Sequence, residues 1–287
     1  MKSAYKTSGE IFAQVSKLYQ PGVIEQLEAI KKGEIIVVEG EYDHVEKLLD
    51  TIKVPYIMVP SIEGLAANNG GRVLFVNCKA YNSVKKQEKD ITENFVADGG
   101  RLITTDWSLG FVSKVFPGKF KKLKDTTDDV VEVQCPSDLG RKFIGLNYAQ
   151  CHPKWWLESS SHIYSIGEGV ESIITSNELE AKYGQPHVAA GFSHGKGEVV
   201  HFISHLELQR THSKTKQDEA GLDTFLEKMK VSRTSEMDDA KVAELESAYS
   251  TLNTVAYLCL QGQLLNTSTK SVMVGKQISS AKSKSLA

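Results

Sequence analysis

Three stretches of this 287-residue chain carry residues whose types and spacing can do chemistry. Phe95–Gly110 reads FVADGGRLITTDWSLG: a helix stopped by Gly-Gly, a strand, and a sharp turn at Asp106, Trp107 and Ser108 that opens the next helix. Gly195–Glu207 reads GKGEVVHFISHLE, a glycine turn entering a strand that ends in His205-x-Glu207. Cys78 closes a third apolar run, LFVNC, beside Asn77. An imidazole next to a carboxylate is the pairing of a general base with the group that orients it. A thiol within reach of that pair is the nucleophile such a base activates. Asp106 is a poor substitute, because with a reference pKa of about 3.9 it is ionised but weakly basic. Cys78 is the alternative thiol, although a buried cysteine is most often a packing residue.

Other candidates read more plainly. His201 and His205 fall on one face of a strand but about 13 Å apart along it, so they do not share a metal. Asp106, His205 and Glu207 are the set that in principle can, yet no metal is expected. Asn77 either donates to a ligand or caps a helix. Cys151-His152 stands alone, and Trp155-Trp156 reads as a loop anchor. Gly195-Lys196-Gly197 lacks the spacing of a phosphate-binding loop and reads as a hairpin turn. Lys119, Lys121, Lys122 and Lys124 guard a solvated edge strand.

The two glycine-led segments together resemble the class I glutamine amidotransferase-like superfamily, of flavodoxin-like α/β fold, over roughly residues 34–210. In active members of that superfamily a strand–turn–helix elbow presents a Cys nucleophile, and a last strand ending in His-x-Glu supplies base and orienter. Laid on that pattern, Asp106 stands where the Cys would be. Trp107 and Ser108 stand where small residues form the oxyanion turn, and His205 and Glu207 fit the His-x-Glu. The resemblance therefore implies a non-amidotransferase branch without the nucleophile, like those similar to trehalose-utilisation proteins. The expected function is a non-catalytic domain, a pseudoenzyme binding a small ligand or a protein partner. One alternative is a hydrolase using Asp106, His205 and Glu207, with or without a metal. The other is a structural or assembly subunit. The chain is expected not to be an enzyme and to need no cofactor; if it is one, a hydrolase is favoured over an amidotransferase.

Positioning these residues requires strands that end at one edge. Glu34–Glu39, Pro55–Val59, Arg72–Asn77 and Arg101–Thr105 are apolar runs separated by helical patterns carrying Val45, Leu48, Leu49 and Ile52, then 83–97, then 108–115. Asp43 is read as the cap of the first of these helices. Runs of this kind make βαβ units and a mostly parallel sheet covered on both faces. In a flavodoxin-like strand order the carboxyl ends gather Gly40, Tyr42, Asn77, Cys78, Asp106, Trp107, His205 and Glu207. Of these, Gly40, Tyr42, Asn77 and Trp107 are the expected ligand contacts; His205, Glu207, Asp106 and Cys78 are the candidate catalytic groups. The period-two stretches 119–124 and 129–134 and the runs 163–166, 172–176, 188–192 and 198–203 add further strands. The expected fold is thus an α/β, flavodoxin-like three-layer sandwich with helical extensions at both ends.

The expected organisation is N-terminal helices over 1–33, the α/β domain over 34–212, a linker and long helix over 213–265, and a disordered, mildly basic tail over 266–287. Within 237–265, Val242, Leu245, Tyr249, Leu252, Ala256 and Cys259 step by three and four. That stripe is expected to pack on its own domain, with a protein partner or self-association as the alternative. A formal charge of −2, from 34 basic and 36 acidic residues, gives no reason to expect nucleic acid. The absence of a long apolar window argues against a membrane span. With no signal-like N-terminus and four unpatterned cysteines, a cytoplasmic location is expected.

Overall fold

Stretches such as Ile-Ile-Val-Val at 35–38 and Val-Leu-Phe-Val at 73–76 are buried at every residue, so both faces of the sheet they build must be covered. The computed structural model describes residues 2–67, 70–145, 153–207 and 210–265. The chain begins with α1 (Lys2–Tyr19) and α2 (Pro21–Glu28), followed by β1 (Ile35–Val38), α3 (Val45–Thr51), β2 (Ile57–Val59) and β3 (Val73–Val76). Next come α4 (Lys86–Ala97), β4 (Arg101–Thr105), α5 (Leu109–Val115), β5 (Phe120–Asp125), β6 (Asp129–Glu132) and α6 (Asp138–Ile144). Then follow β7 (Lys154–Leu157), β8 (His162–Ile166), β9 (Glu171–Thr175), α7 (Asn177–Tyr183), β10 (His187–His194), β11 (Gly197–Phe202), α8 (Leu222–Met229) and α9 (Val242–Cys259).

Seven strands form one sheet in the order β2-β1-β3-β4-β11-β10-β9. The first five run parallel, and β10 and β9 turn antiparallel at one edge. This is a flavodoxin-like α/β arrangement. The β10–β11 hairpin turns at Gly195, whose φ of +59° suits a residue without a Cβ. Two small ribbons, β5–β8 and β6–β7, stand apart from the main sheet. The lysine-bearing strand β5 is exposed after Phe120. Pro21 opens α2 at its first turn, directly after α1, which begins at Lys2. The short elements α6, β7 and α7 carry too little periodicity to be read from sequence.

Helix α9 corrects the expectation of a 237–265 helix with one apolar seam. It spans 18 residues, of which 16 are buried, and packs against α1, α2, α3, α6, α8 and β7. Its serines, threonines and asparagine donate hydrogen bonds inside the protein. Asn253 Nδ2 and Thr254 Oγ1 donate to the Phe143 carbonyl at 2.9 and 3.0 Å. Arg72 and Arg101, from the amino ends of β3 and β4, donate to the carbonyls of Leu258, Cys259, Leu260 and Gly262 at its C-terminus. The stripe therefore packs on the chain's own elements, and almost no side of the helix is left uncovered. No described helix is long and apolar enough to cross a membrane.

A buried pair ties β7 to the segment before α8. Lys154 Nζ lies 2.7 Å from Asp218 Oδ1, and Oδ2 accepts the backbone N–H of Lys214 and Thr215, each at 2.7 Å. Burial pushes the Asp218 carboxyl up, but Lys154 and the two N–H donors outweigh it and hold it below its ordinary value. A carboxyl depressed on folding contributes stability that is present above about pH 3.9 and lost as pH falls through the folded value. Asp218→Asn should cost about 3–5 kcal/mol at pH 7, because it removes the charge that faces the buried Lys154 ammonium. Urea unfolding at pH 7 and pH 3 should find the variant's deficit smaller at the lower pH.

Candidate active site and its buried ion pair

The registers Val38↔Val76, Val76↔Thr104 and Phe202↔Thr105 bring the carboxyl ends of β1, β3, β4 and β11 level. The residues just beyond those strands therefore meet. Gly40 permits the approach of the first two: a Cβ there would lie 2.5 Å from Asn77 Cβ and 2.8 Å from the Cys78 carbonyl oxygen. That oxygen instead accepts the N–H groups of Glu41 and Tyr42 at 2.8 and 3.3 Å. After β4 the chain turns sharply. Asp106 takes φ +47°, a left-handed conformation that costs a non-glycine residue about 1–3 kcal/mol. A 3-10 turn over Asp106–Ser108 then leads into α5, and Ser108 Oγ donates to the Asn77 carbonyl at 2.9 Å.

Cys78, Asp106 and His205 converge, at 1%, 2% and 4% exposure. Cys78 Sγ lies 3.6 Å and His205 Nε2 3.4 Å from the same oxygen, Asp106 Oδ2. The other ring nitrogen, His205 Nδ1, lies 2.5 Å from Glu158 Oε1. Burial alone would lower the His205 pKa, but Asp106, Cys78 and Glu158, with the charge of Asp43 behind them, outweigh it and raise it. Burial raises the Asp106 carboxyl, with His205 opposing. Burial likewise pushes the Cys78 thiol up to about 12, with His205 opposing. The site is thus a buried cluster in which one Asp106 oxygen faces both a thiol and a ring nitrogen, with Glu158 at the other ring nitrogen.

The remaining expected residues divide. Glu207 is at the edge but does not orient His205: its carboxylate accepts from Lys47 Nζ at 3.2 Å. Asp43 does not cap α3. Its two oxygens take the backbone N–H groups of Leu206 and Glu207, both at 3.2 Å, and so clamp the chain leaving β11. Asn77 serves α3 from across the edge. Its Oδ1 accepts from Val45 N at 3.4 Å and its Nδ2 donates to Glu46 at 3.0 Å, so it ties the end of β3 to the start of α3. Tyr42 is half exposed and meets Trp107 edge-on at 5.3 Å, while Trp107 stacks on His162 at 6.2 Å and donates from Nε1 to the Ser160 carbonyl at 2.8 Å. Trp155 is anchored inside, stacked on Phe202 and bonded to Ser204. His201 is buried separately against Thr104. Cys151 and His152 lie outside the described residues.

Sequence reasoning missed Glu158. It follows β7 in an irregular segment whose neighbours, Trp155 and Trp156, read only as an anchor. Beside the edge, a groove of about 970 Å³ runs between α1, α2 and α3, with Tyr5, Phe12, Leu27 and Leu48 among its walls and Lys47 and Glu207 at its rim.

No family model and no curated protein matches the chain. Among solved structures, a glutamine amido transferase from Methylobacillus flagellatus is 14% identical, with 82% of this chain and 97% of that one covered at a TM-score of 0.46. A putative ThuA-like protein from Bacteroides uniformis is 11% identical, covering 60% of this chain and 81% of that one at 0.42. A cold-adapted β-galactosidase from Rahnella sp. R3 is 14% identical over 61% of this chain at 0.43, and this chain spans only 29% of its length.

The close approach at Gly40 yields a direct test. Gly40→Ala should force apart the ends of β1 and β3 and displace Cys78 from Asp106, lowering stability by about 1–3 kcal/mol as overpacking does. Thermal melting, with the rate of Cys78 alkylation as a local readout, should show a less stable protein whose Cys78 is more accessible.

Proposed function

We propose that this chain is a class I glutamine amidotransferase-like domain, centred on residues 34–212, that binds a small ligand at the carboxyl edge of its sheet and performs no amide transfer. The observation that carries the reading is the occupant of the elbow. Where that superfamily places its nucleophile, Asp106 faces His205 Nε2 at 3.4 Å, while Glu158 takes Nδ1. A thiol–imidazole couple works by moving the thiol proton onto the ring, which leaves a thiolate–imidazolium pair. Here a carboxyl group stands in the place of the thiol, and the ring faces acidic groups at both nitrogens.

Two further features support binding over catalysis. Cys78 is sealed under the edge and lies off the elbow, on the end of β3. Tyr42 and Trp107 present aromatic surface above the buried groups, with Tyr42 half exposed. Of the three residues the hydrolase alternative would use, Glu207 is paired with Lys47 and apart from His205.

The full chain, incubated with L-glutamine, should release ammonia no faster than buffer. Under native conditions near pH 7.5 iodoacetamide should alkylate Cys78 no faster than Cys135 or Cys259, since the thiolate is the reacting form. Glutamine turnover that disappears in Cys78→Ala, together with selective alkylation at Cys78, would overturn the reading.

A further inference from the structure

We propose that Cys78, Asp106 and His205 bind one zinc ion as three of its four tetrahedral ligands. The proposal names the ligand of the edge described above and rests on the reading of that edge as a binding site. Among the described residues, one donor atom from each of these three side chains lies within 4.8 Å of the other two. Two of the three separations are measured individually, at 3.6 Å from Cys78 Sγ to Asp106 Oδ2 and 3.4 Å from His205 Nε2 to the same oxygen. Zinc bonds of about 2.3 Å to sulfur and about 2.0–2.1 Å to nitrogen and oxygen, opened to tetrahedral angles, give edges of roughly 3.6 Å for S···O and 3.3 Å for N···O. The two measured separations match those edges, and the third lies within 4.8 Å.

Three independent features point the same way. A zinc-bound imidazole characteristically donates its other N–H to a carboxylate, which fixes the ring and its tautomer. Glu158 holds His205 Nδ1 in that manner at 2.5 Å. The donor set, thiolate with imidazole and carboxylate, suits zinc, whereas magnesium calls for oxygen ligands. Finally, Asp106 is held at φ +47° to aim its carboxylate at the other two donors, and strain of this kind gathers at sites where geometry is used. On binding, the Cys78 S–H bond gives way to a zinc–sulfur bond and the proton leaves to solvent, as does any proton on Nε2. Glu158 retains the proton on Nδ1. The fourth position is left to water or a small anion.

The test uses the full chain stripped with a chelator and titrated with zinc chloride, with magnesium chloride as the control cation. One zinc ion per chain is expected, with no magnesium heat and no change in Cys135→Ser. Cys78→Ser and Asp106→Asn should each weaken zinc by roughly 100-fold or more, and Glu158→Gln by roughly 10–100-fold, as loss of an orienting carboxylate does. Cobalt(II) added to the unaltered protein gives a readout that needs no variant: tetrahedral visible bands with a thiolate-to-metal charge-transfer band in the near ultraviolet. A cobalt complex without the thiolate band, no zinc uptake, or zinc held equally by Cys78→Ser and Asp106→Asn would sink the proposal. If zinc is absent while Cys78 stays inert and glutamine is untouched, the metal is removed and the binding reading survives. Glutamine turnover through Cys78 removes both.

Discussion

Taking an imidazole and two carboxyl groups out of water costs several kcal/mol per ion unless each finds a counter-charge in place. His205 meets that condition by standing between Asp106 and Glu158, and the arrangement explains the architecture around it. Asp106 reaches the ring only because the chain takes a left-handed turn at the end of β4. Glu158 reaches it only because the β6–β7 ribbon, outside the main sheet, delivers its own end to the same edge. His205 is held on its side by Asp43, which binds the two N–H groups that follow it. Each carboxyl group meets a different ring nitrogen of His205, so the segments that carry them are constrained together.

The opposite edge of the sheet carries a second electrostatic constraint. Arg101, paired with Glu198 at 3.0 Å in a buried setting, and Arg72 direct their guanidinium groups at the carbonyls ending α9. A helix C-terminus concentrates partial negative charge, and cations there are favourable. Helix α9 also touches β7, whose end supplies Glu158, and α3, whose first turn is served by Asn77. The helix thus joins the amino edge, where its end is neutralised, to elements that shape the carboxyl edge. Its burial on nearly all sides follows from that position.

The sheet was legible because β1, β3 and β4 are continuous apolar runs punctuated by glycine, and two-sided burial leaves such a trace in sequence. Three of the four converging site residues were legible for the same reason: Cys78, Asp106 and His205 each close a readable strand. Glu158 was not, because it lies in an irregular loop and reaches the site through a ribbon whose pairing is set by tertiary packing. The Glu207 expectation failed on a local point. Two residues after His205 the strand has already ended, so alternation no longer predicts where the side chain goes, and Lys47 on α3 captures it. Helix α9 packs on its own domain as its apolar stripe implied, but the depth of its burial was not legible, because its serines, threonines and asparagine find buried acceptors in its own turns or in β7 and α6. A helix that hides polar residues in this way has a weaker amphipathic signature than its burial warrants.

The elbow departs from a nucleophilic one at more than a single atom. A thiol at position 106 would replace the carboxylate in contact with His205, but the groups beside it would still be engaged elsewhere. The Trp107 indole N–H is given to the Ser160 carbonyl, and its ring is wedged between Tyr42 and His162. The Ser108 hydroxyl is given to the Asn77 carbonyl. Stabilising a developing oxyanion requires donors that are pre-aimed and uncommitted. Neither side chain beside the elbow is uncommitted, and a bulky indole fills space that an attacked carbonyl would need. The backbone bend at Asp106 is thus walled by side chains whose polar groups are already committed to the protein itself.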